Sequence, residues 1–280
     1  MVTITAACST HLPALAAALI WAYASVSYGD WVKALGVARL NTLRVVYTSI
    51  ALLAPALLLG LNRAALYAAL SGVLSLALGD SLYLKSIKTA GVSIAAPASY
   101  SYILMEQFVA VALGEPLRPT YLVSSLIIVA GIYVLSRGEG EGRLLGVLYA
   151  LGAAASWAGG YAAIKVAGAG GLNPISTAFV RALTALAALS WSARGLGVGE
   201  AMRRTWRTPL PIIAVLDLGV GAALFAYSAV AIGVSLTVII TGVEPLAAQI
   251  MARAMGKERP GLREYVAAVL ILTAIIISLI

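Results

Sequence analysis

Two stretches of the chain are near copies of each other, and this duplication is the strongest constraint on the fold. Residues 91–119 read GVSIAAPASYSYILMEQFVAVALGEPLRP, and residues 233–260 read GVSLTVIITGVEPLAAQIMARAMGKERP. Both begin with Gly-Val-Ser, and the interval from that glycine to the glycine of the closing turn is the same in both. Each copy is apolar and ends in a charged turn. Repeated units of this kind are typical of membrane proteins built by internal duplication.

The composition indicates that lipid surrounds most of the chain. Of 280 residues, 61% are hydrophobic and 11% are charged, and the mean hydropathy is +0.97. Soluble domains carry about 25% charged residues, and a soluble core of this length could not bury so much apolar surface. The apolar runs are continuous and do not alternate with polar residues. They therefore predict membrane-spanning helices, since a β-barrel strand would alternate.

Ten apolar segments approach the length that spans a bilayer, which is about 20 residues. They cover residues 12–29, 41–61, 64–84, 91–113, 120–136, 144–166, 173–193, 209–231, 233–255 and 263–280. The Gly-rich charged stretch 137–143 predicts a linker, and 194–208, with four arginines, predicts a surface loop. The expected fold is an all-α integral membrane protein with a first half at 1–137 and a second half at 144–280. Because five is an odd number, the second half is expected to be inverted around a central cavity.

The net charge of +8 has the distribution of membrane anchors, which argues against nucleic acid as a partner. Fourteen lysines and arginines lie in or beside loops that follow odd-numbered segments, against three on the other side. This bias predicts that the odd loops are cytoplasmic and that both termini lie outside. The single cysteine, Cys8, and single histidine, His11, predict no internal disulfide, no metal site and no cofactor. The expected partners are a small-molecule substrate, the bilayer and protons, and the expected state is a monomer or homodimer.

Polar residues recur on one face of the duplicated segments. Helical spacing places Ser99, Tyr102 and Glu106 on one stripe, and Thr241 and Glu244 on another. Superposing the two copies aligns these stripes, so both are expected to face the cavity. An acid inside a membrane segment is expensive, and it is by default a candidate for substrate or proton binding. The alternative for each acid is a structural ion pair with Arg44 or Arg181.

Other candidates come from equivalent places in the two halves or from single mid-segment charges. Two acids stand apart from the stripes: Asp217 is a candidate cavity residue, and Asp80 is expected to pair with Lys85 at a helix end. Arg44 and Arg181 are expected to be structural charges in equivalent second segments. The predicted binding residues are Trp21, Ser99, Tyr102, Glu106, Trp157, Tyr161, Asp217, Thr241 and Glu244. For the aromatic members, plain packing or an interfacial belt is an equally good explanation.

This layout resembles the drug/metabolite transporter superfamily, in particular its ten-helix EamA-type members. The resemblance covers nearly the whole chain. It is carried by a tryptophan near the start of each half, an arginine in the second segment and a charged glycine turn after the fourth, at Trp21 and Trp157, Arg44 and Arg181, and residues 114–115 and 256–258. The resemblance implies alternating access around a central cavity and export of amino acids or similar metabolites from the plasma membrane. It also implies cytoplasmic termini, contrary to the charge bias.

One departure from the family pattern concerns a lysine eight residues after the tryptophan. Lys165 fits in the second half, whereas the first half has Gly29. Exchange of sugar phosphates or nucleotide sugars, as in related branches, is a less favoured alternative. Such anions need Lys or Arg in the late segments, and SLTVIITGVEPLAAQIM has neither.

A passive facilitator or scramblase stays open, because gating leaves no short motif. An enzyme is disfavoured, since the sequence has neither paired Asp-rich motifs nor a phosphate-binding loop. Asp80 also lacks the Gly-x-Gly-Asp context of an intramembrane protease, because it follows Ala77-Leu78-Gly79.

Overall fold

The computed structural model describes residues 2–136, 141–257 and 261–278, and every regular element in these ranges is helical. The helices are α1 (Val2–Leu35), α2 (Val37–Leu59), α3 (Ala65–Ser71), α4 (Asp80–Ala90), α5 (Val92–Ser99), α6 (Tyr102–Ala112), α7 (Pro119–Ser136), α8 (Glu141–Ala169), α9 (Pro174–Ser192), α10 (Val198–Thr205), α11 (Leu210–Ala214), α12 (Ala222–Ala231), α13 (Val234–Thr241), α14 (Glu244–Ala254) and α15 (Leu262–Ser278). Two π-helical segments, Gly72–Gly79 and Val215–Gly221, join α3 to α4 and α11 to α12.

Seven helical segments of the described residues are long and apolar enough to cross a membrane. They are Thr10–Leu35, Val37–Leu59, Ala65–Ala90, Arg143–Ala169, Pro174–Trp191, Leu210–Ala231 and Val234–Ala254. The remaining three predicted segments coincide with α5 and α6, with α7 and with α15. Many large apolar side chains on these helices are exposed, as expected for a protein whose outer surface faces lipid.

Several predicted boundaries differ from the structure, most clearly those of α1 and α8. Helix α1 begins at Val2 and continues to Leu35, well beyond the predicted segment 12–29. Helix α8 begins at Glu141, so the end of the predicted linker 137–143 is helical, while residues 137–140 lie outside the described residues. In each case polar or small residues extend an apolar helix, because a helix need not end where its apolar run ends.

The predicted surface loop at 194–208 contains the short helix α10. This helix is amphipathic: Ala201 and Thr205 are buried, while Arg203 and Arg204 are exposed. The Thr205 hydroxyl lies 2.7 Å from the hydroxyl of Tyr47 on α2. The prediction missed this helix because eight amphipathic residues give little apolar signal between a glycine-rich stretch and Pro209.

The two duplicated segments share an interruption at the same place. Residues 100–101 form a turn between α5 and α6, and residues 242–243 form a turn between α13 and α14. Each turn begins nine residues after the opening glycine of its copy. In the second copy Pro245 has no N–H to continue the helical ladder across the turn. These interruptions change the phase of the helix between its two parts.

Close packing of helix backbones depends on small residues. A Cβ added at Gly72 would lie 2.3 Å from the carbonyl oxygen of Arg181 and 2.2 Å from Oγ1 of Thr184, both on α9. A Cβ at Gly160 of α8 would lie 1.8 Å from Oγ of Ser75. Such contacts are typical of helices packed inside membranes, where dispersion contacts drive association. They hold α8 and α9 against the π-helical segment that carries part of the cavity wall.

Candidate functional site

An internal cavity of about 50 Å³ lies among α1, α2, α4, α8, α9, α14 and the two π-helical segments. Its polar and aromatic lining consists of Trp21, Ser25, Tyr28, Arg44, Ser75, Asp80, Tyr83, Tyr100, Trp157, Tyr161, Arg181, Asp217 and Glu244. Both halves of the chain contribute to this lining. The lining carries two guanidinium and three carboxyl groups, a concentration of charge that is rare in an apolar protein and makes this cavity the candidate functional site.

Arg44 holds two carboxylates together at one side of the cavity. Its Nη2 atom lies 2.7 Å from Oδ2 of Asp217 and 3.0 Å from Oδ2 of Asp80. The Tyr28 hydroxyl donates to the same Asp217 oxygen at 2.8 Å, and the Trp157 indole donates to Oδ1 of Asp80 at 2.9 Å. Each of the three charged residues is at most 5% exposed. The cluster joins α2 to one π-helical segment and to the start of α4.

The expected pairing of Asp80 with Lys85 is wrong. The carboxylate of Asp80 points to Arg44 and the cavity, whereas the ammonium of Lys85 lies 5.7 Å from the centre of the Tyr149 ring. Asp80 is the first residue of α4, directly after the π-helical segment. The wider π-helical turns rotate this residue relative to a regular α-helix, so α-helical spacing could not predict its direction.

Glu244 is the third acid of the lining, and hydroxyl groups alone bond to it in the described residues. Its Oε1 accepts a hydrogen bond from Ser25 at 3.1 Å, and its Oε2 accepts one from the Tyr100 hydroxyl. The Tyr83 hydroxyl donates to Ser25 at 3.1 Å and so extends this chain of hydroxyls. No ion pair to Glu244 forms within the described ranges. A carboxylate buried in this way requires a proton or an added cation.

Arg181 is the counterpart of Arg44 in the second half of the chain. It also lines the cavity, but its environment is different. Its Nε donates to the Ser71 hydroxyl at 2.9 Å, and it is 3% exposed. No carboxylate of the described chain forms an ion pair with it. Arg44 therefore lies in an ion-pair cluster, whereas Arg181 has a neutral hydroxyl as its partner, so the two arginines have different environments.

Aromatic rings form much of the remaining wall. Trp21 and Tyr161 stack with ring centres 6.4 Å apart, and Tyr102 packs edge-on to Tyr161 at 5.2 Å and to Trp157 at 6.0 Å. The Trp21 indole donates to the Asp217 carbonyl at 3.2 Å. These rings offer a rigid surface with polar edges, which suits a small amphipathic ligand.

The two tryptophans meet glycines in a reciprocal way. A Cβ at Gly79 would lie 2.6 Å from Cδ1 of Trp157, and a Cβ at Gly221 would lie 2.7 Å from Nε1 of Trp21. Each glycine ends a π-helical segment and lies twelve residues before the opening glycine of its duplicated stretch. The tryptophan of each half therefore enters a gap left by the equivalent glycine of the other half.

Five of the nine predicted binding residues line the cavity, namely Trp21, Trp157, Tyr161, Asp217 and Glu244. Two others, Tyr102 and Thr241, bond to each other at 3.0 Å behind the wall. The remaining two are buried elsewhere: Ser99 donates to the Ala96 carbonyl, and neither oxygen of Glu106 has a hydrogen-bond partner in the described part of the chain.

The predicted stripe of Ser99, Tyr102 and Glu106 therefore does not face the cavity as a unit. The turn at residues 100–101 separates Ser99 from the other two, so i, i+3 and i+4 spacing does not hold across it. Tyr100, inside this turn, is the side chain that reaches Glu244. In the second copy the turn at 242–243 likewise turns Thr241 away from the lining, while Glu244 lies in it.

Sequence reasoning missed Ser25 and Tyr28 as lining residues, and it left Tyr83 ambiguous between cavity wall and packing. A signal was present for the first two, because they follow Trp21 by four and seven residues and so share its helix face. Tyr83 follows Asp80 by three residues and had the same signal. No cluster of three or more histidine, cysteine or acidic side chains suited to a metal occurs in the ranges that the structure describes.

Glu115 forms an ion pair away from the cavity, at the end of α6. Its carboxylate pairs with the ammonium of Lys165 near the end of α8, and it accepts hydrogen bonds from the backbone N–H groups of Val234 at 2.8 Å and Ser235 at 3.0 Å. It therefore caps the N-terminus of α13, where a negative charge is favourable. Burial raises the pKa of Glu115, but Lys165 and the α13 donors outweigh burial and hold it below 4.5.

A second ion pair lies at the equivalent position of the other duplicated stretch. There the duplicated stretch supplies the cation and the first helix of the other half supplies the acid. Lys257, after α14, lies 2.6 Å from Oδ2 of Asp30 near the end of α1. Glu115 and Lys257 each lie 24 residues after the opening glycine of their copies. Each pair joins the end of one duplicated stretch to the first helix of the other half. The Lys257–Asp30 pair is more exposed, since 65% of the Asp30 side chain is accessible compared with 13% for Glu115.

We expect Glu115→Gln to lower the free energy of unfolding by about 1 kcal/mol at neutral pH, because a charged helix cap is weakened. The folded pKa of Glu115 lies below its usual value of 4.5. Its contribution is therefore complete above the unfolded pKa and is lost as the pH falls through the folded pKa. Melting curves of both proteins at pH 7 and at lower pH measure this difference. It should shrink on acidification, and a gap that widens would contradict the capping role.

Comparison with known proteins agrees with this architecture. The model of the EamA-like transporter family matches residues 9–137 and again residues 144–280. An uncharacterised transporter of Archaeoglobus fulgidus is 29% identical over 277 residues, which are 96% of this chain and 97% of that protein. One solved crystal structure shares the fold with a TM-score of 0.65, 19% identity and 96% coverage of both chains. The chain is a membrane protein that belongs to the EamA-like transporter family.

Proposed function

We propose that this protein is a secondary transporter of the plasma membrane that exports small zwitterionic metabolites, such as amino acids, by alternating access. In this proposal ten segments span the membrane as two inverted five-helix halves. The double match of the family model and the reciprocal tryptophan–glycine contacts support such a pairing of halves. The odd number of predicted segments in each half supports the inversion.

The observation that carries the proposal is the buried carboxyl group of Glu244. It lines the cavity, is 4% exposed and is bonded to the hydroxyls of Ser25 and Tyr100. No cation of the described residues pairs with a carboxylate at this position. A proton or the ammonium group of a substrate would supply the missing positive charge. Exchange between these two cations at one group would couple substrate movement to a proton gradient.

The two exchanged ion pairs support alternating access. If the halves are inverted, the Glu115–Lys165 pair and the Lys257–Asp30 pair lie at opposite faces of the membrane. Each pair ties a duplicated stretch to the first helix of the other half, so breaking it frees one mouth of the cavity. Binding pockets for small molecules usually measure about 300–1,000 Å³. The cavity of about 50 Å³ is therefore too small for a substrate, and in this proposal it widens when one pair opens.

The test is transport by purified protein in liposomes loaded with labelled amino acids. We expect Glu244→Gln to reduce counterflow by at least about tenfold, since a charge-assisted hydrogen bond is worth about 1.5–3 kcal/mol. Glu106→Gln is the matched control, because Glu106 is a buried acid outside the cavity lining. It should keep wild-type transport. Equal counterflow by wild type and Glu244→Gln would remove Glu244 from the mechanism, and no movement of any amino acid by wild type would refute the proposed function.

A further inference from the structure

Only some of the charged groups in the cavity lining form ion pairs with one another. Arg44 is shared by Asp80 and Asp217, so one guanidinium pairs directly with two carboxyl groups. Two charged groups are left over, the guanidinium of Arg181 and the carboxyl group of Glu244. In the described chain the hydrogen-bond partners of both are neutral hydroxyl groups. In the described residues the cavity therefore presents one group of each sign that forms no direct ion pair.

The burial of Arg181 makes this arrangement costly unless a ligand completes it. Arginine keeps its charge at all physiological pH values, so it cannot discharge itself as a carboxyl group can. It is 3% exposed and forms no direct ion pair in the described residues, and a buried cation without such a partner is unfavourable. A guanidinium group has five N–H donors. One of them, on Nε, donates to the Ser71 hydroxyl. The remaining donors suit a planar anion, and carboxylate matches guanidinium in two-point contact.

We propose that Arg181 binds the carboxylate of the transported molecule while Glu244 binds its ammonium group. This inference rests on the proposed function and assigns the carboxylate and the ammonium of its zwitterionic substrate to two named residues of the cavity. Amines without a carboxylate and acids without an amine each satisfy one of the two groups and leave the other buried without a partner. A site built to bond a polar group rejects analogues that lack it.

The aromatic walls and the size of the cavity set a further limit. Trp21, Trp157 and Tyr161 line the space into which a side chain would extend. The cavity of about 50 Å³ must widen before a substrate fits, and a short side chain requires less widening than a long one. Recognition by the two charged groups leaves the side chain to these rings, which can accept more than one apolar group.

The experiment compares matched probes that differ in one charged group. L-Alanine, ethylamine and propionate form one set, and L-leucine, isoamylamine and 4-methylpentanoate form another. Their binding to purified full-length protein is measured as a shift in melting temperature across a concentration series. We expect the wild type to bind at least one amino acid about tenfold or more tightly than its matched amine and its matched acid.

The variants separate recognition from folding. Arg181→Gln should lose the preference for the amino acid over its amine, while the amine still binds and so reports a folded site. Arg181→Lys should retain part of the preference, because it keeps the charge without the planar fork. Ser71→Ala removes the hydroxyl beside Arg181 but keeps the guanidinium, so it should keep the preference for the amino acid over its matched amine.

Two results would overturn the inference. One is equal affinity of the wild type for an amino acid and its matched amine. The other is unchanged amino-acid affinity in Arg181→Gln. In either case, continued amino-acid counterflow in liposomes by the wild type would leave the proposed function standing, so failure of the Arg181 site and failure of the function are distinguishable.

Discussion

Replacing Arg44 with methionine is expected to lower the free energy of unfolding by about 3–5 kcal/mol, the cost of breaking a buried ion pair by removing one partner. Arg44 lies 2.7 Å from Asp217 and 3.0 Å from Asp80, and all three residues are buried. Without the guanidinium the two carboxylates would repel each other in an apolar surrounding. Denaturant unfolding of the purified protein, followed by tryptophan fluorescence, measures the loss.

The control for this prediction removes the repulsion together with the cation. The combined variant Arg44→Met, Asp80→Asn and Asp217→Asn has no net charge in the cluster and should recover much of the lost stability, because uncharged groups of similar size often replace a buried ion pair well. If Arg44→Met were as stable as the wild type, the cluster would contribute little to folding. If the combined variant were no more stable than Arg44→Met, packing of the arginine rather than charge would explain the loss.

Gly72→Ala is the second change with a large expected effect, a loss of about 3 kcal/mol in the free energy of unfolding, at the upper end of overpacking costs. The new Cβ would lie 2.3 Å from the carbonyl oxygen and 2.8 Å from Cα of Arg181. These are backbone atoms of α9, which no rotamer change can move away. The helix must shift as a whole, and it carries Arg181 with it. Thermal unfolding measures the stability, and the alanine probe series measures the effect on binding.

Gly29→Ala is the matched control for Gly72→Ala. Gly29 also lies within a helix, α1, but a Cβ there meets no atom within 4 Å. Because alanine favours helix formation over glycine by up to about 1 kcal/mol, this variant should be as stable as the wild type or slightly more so. Equal losses from the two substitutions would show that glycine flexibility, rather than close helix contact, accounts for the effect at Gly72.

Much of the helical architecture could be predicted from the sequence, since long apolar runs depend only on local composition. The position of Glu244 in the cavity could also be predicted, because an isolated acid in such a run has few favourable locations. The ion-pair partner of Asp80 could not be predicted from the sequence. Arg44 is 36 residues away, and the choice between Arg44 and Lys85 depends on how a π-helical segment turns the start of α4.

The polar stripe around Ser99 shows a different limit. Helical spacing is reliable only where the helix is continuous, and the turn at residues 100–101 resets the phase. No proline stands at this point in the first copy, whereas Pro245 accompanies the turn in the second. Comparison of the two copies could have transferred the interruption from one to the other. The inward direction of Tyr100 then follows, because a turn residue need not lie on the face of either neighbouring helix.

Evolutionary change in one half of the chain is coupled to change in the other by two contacts. These are the contacts of Trp157 with Gly79 and of Trp21 with Gly221. Each indole occupies space that exists because a residue encoded in the other half has no side chain. A larger residue at either glycine would be tolerated only together with a smaller one at the tryptophan facing it. After the duplication, the two copies could drift apart in most places, but at these four positions mutation in one copy is constrained by the other. Divergence there must proceed by compensated pairs across the gene.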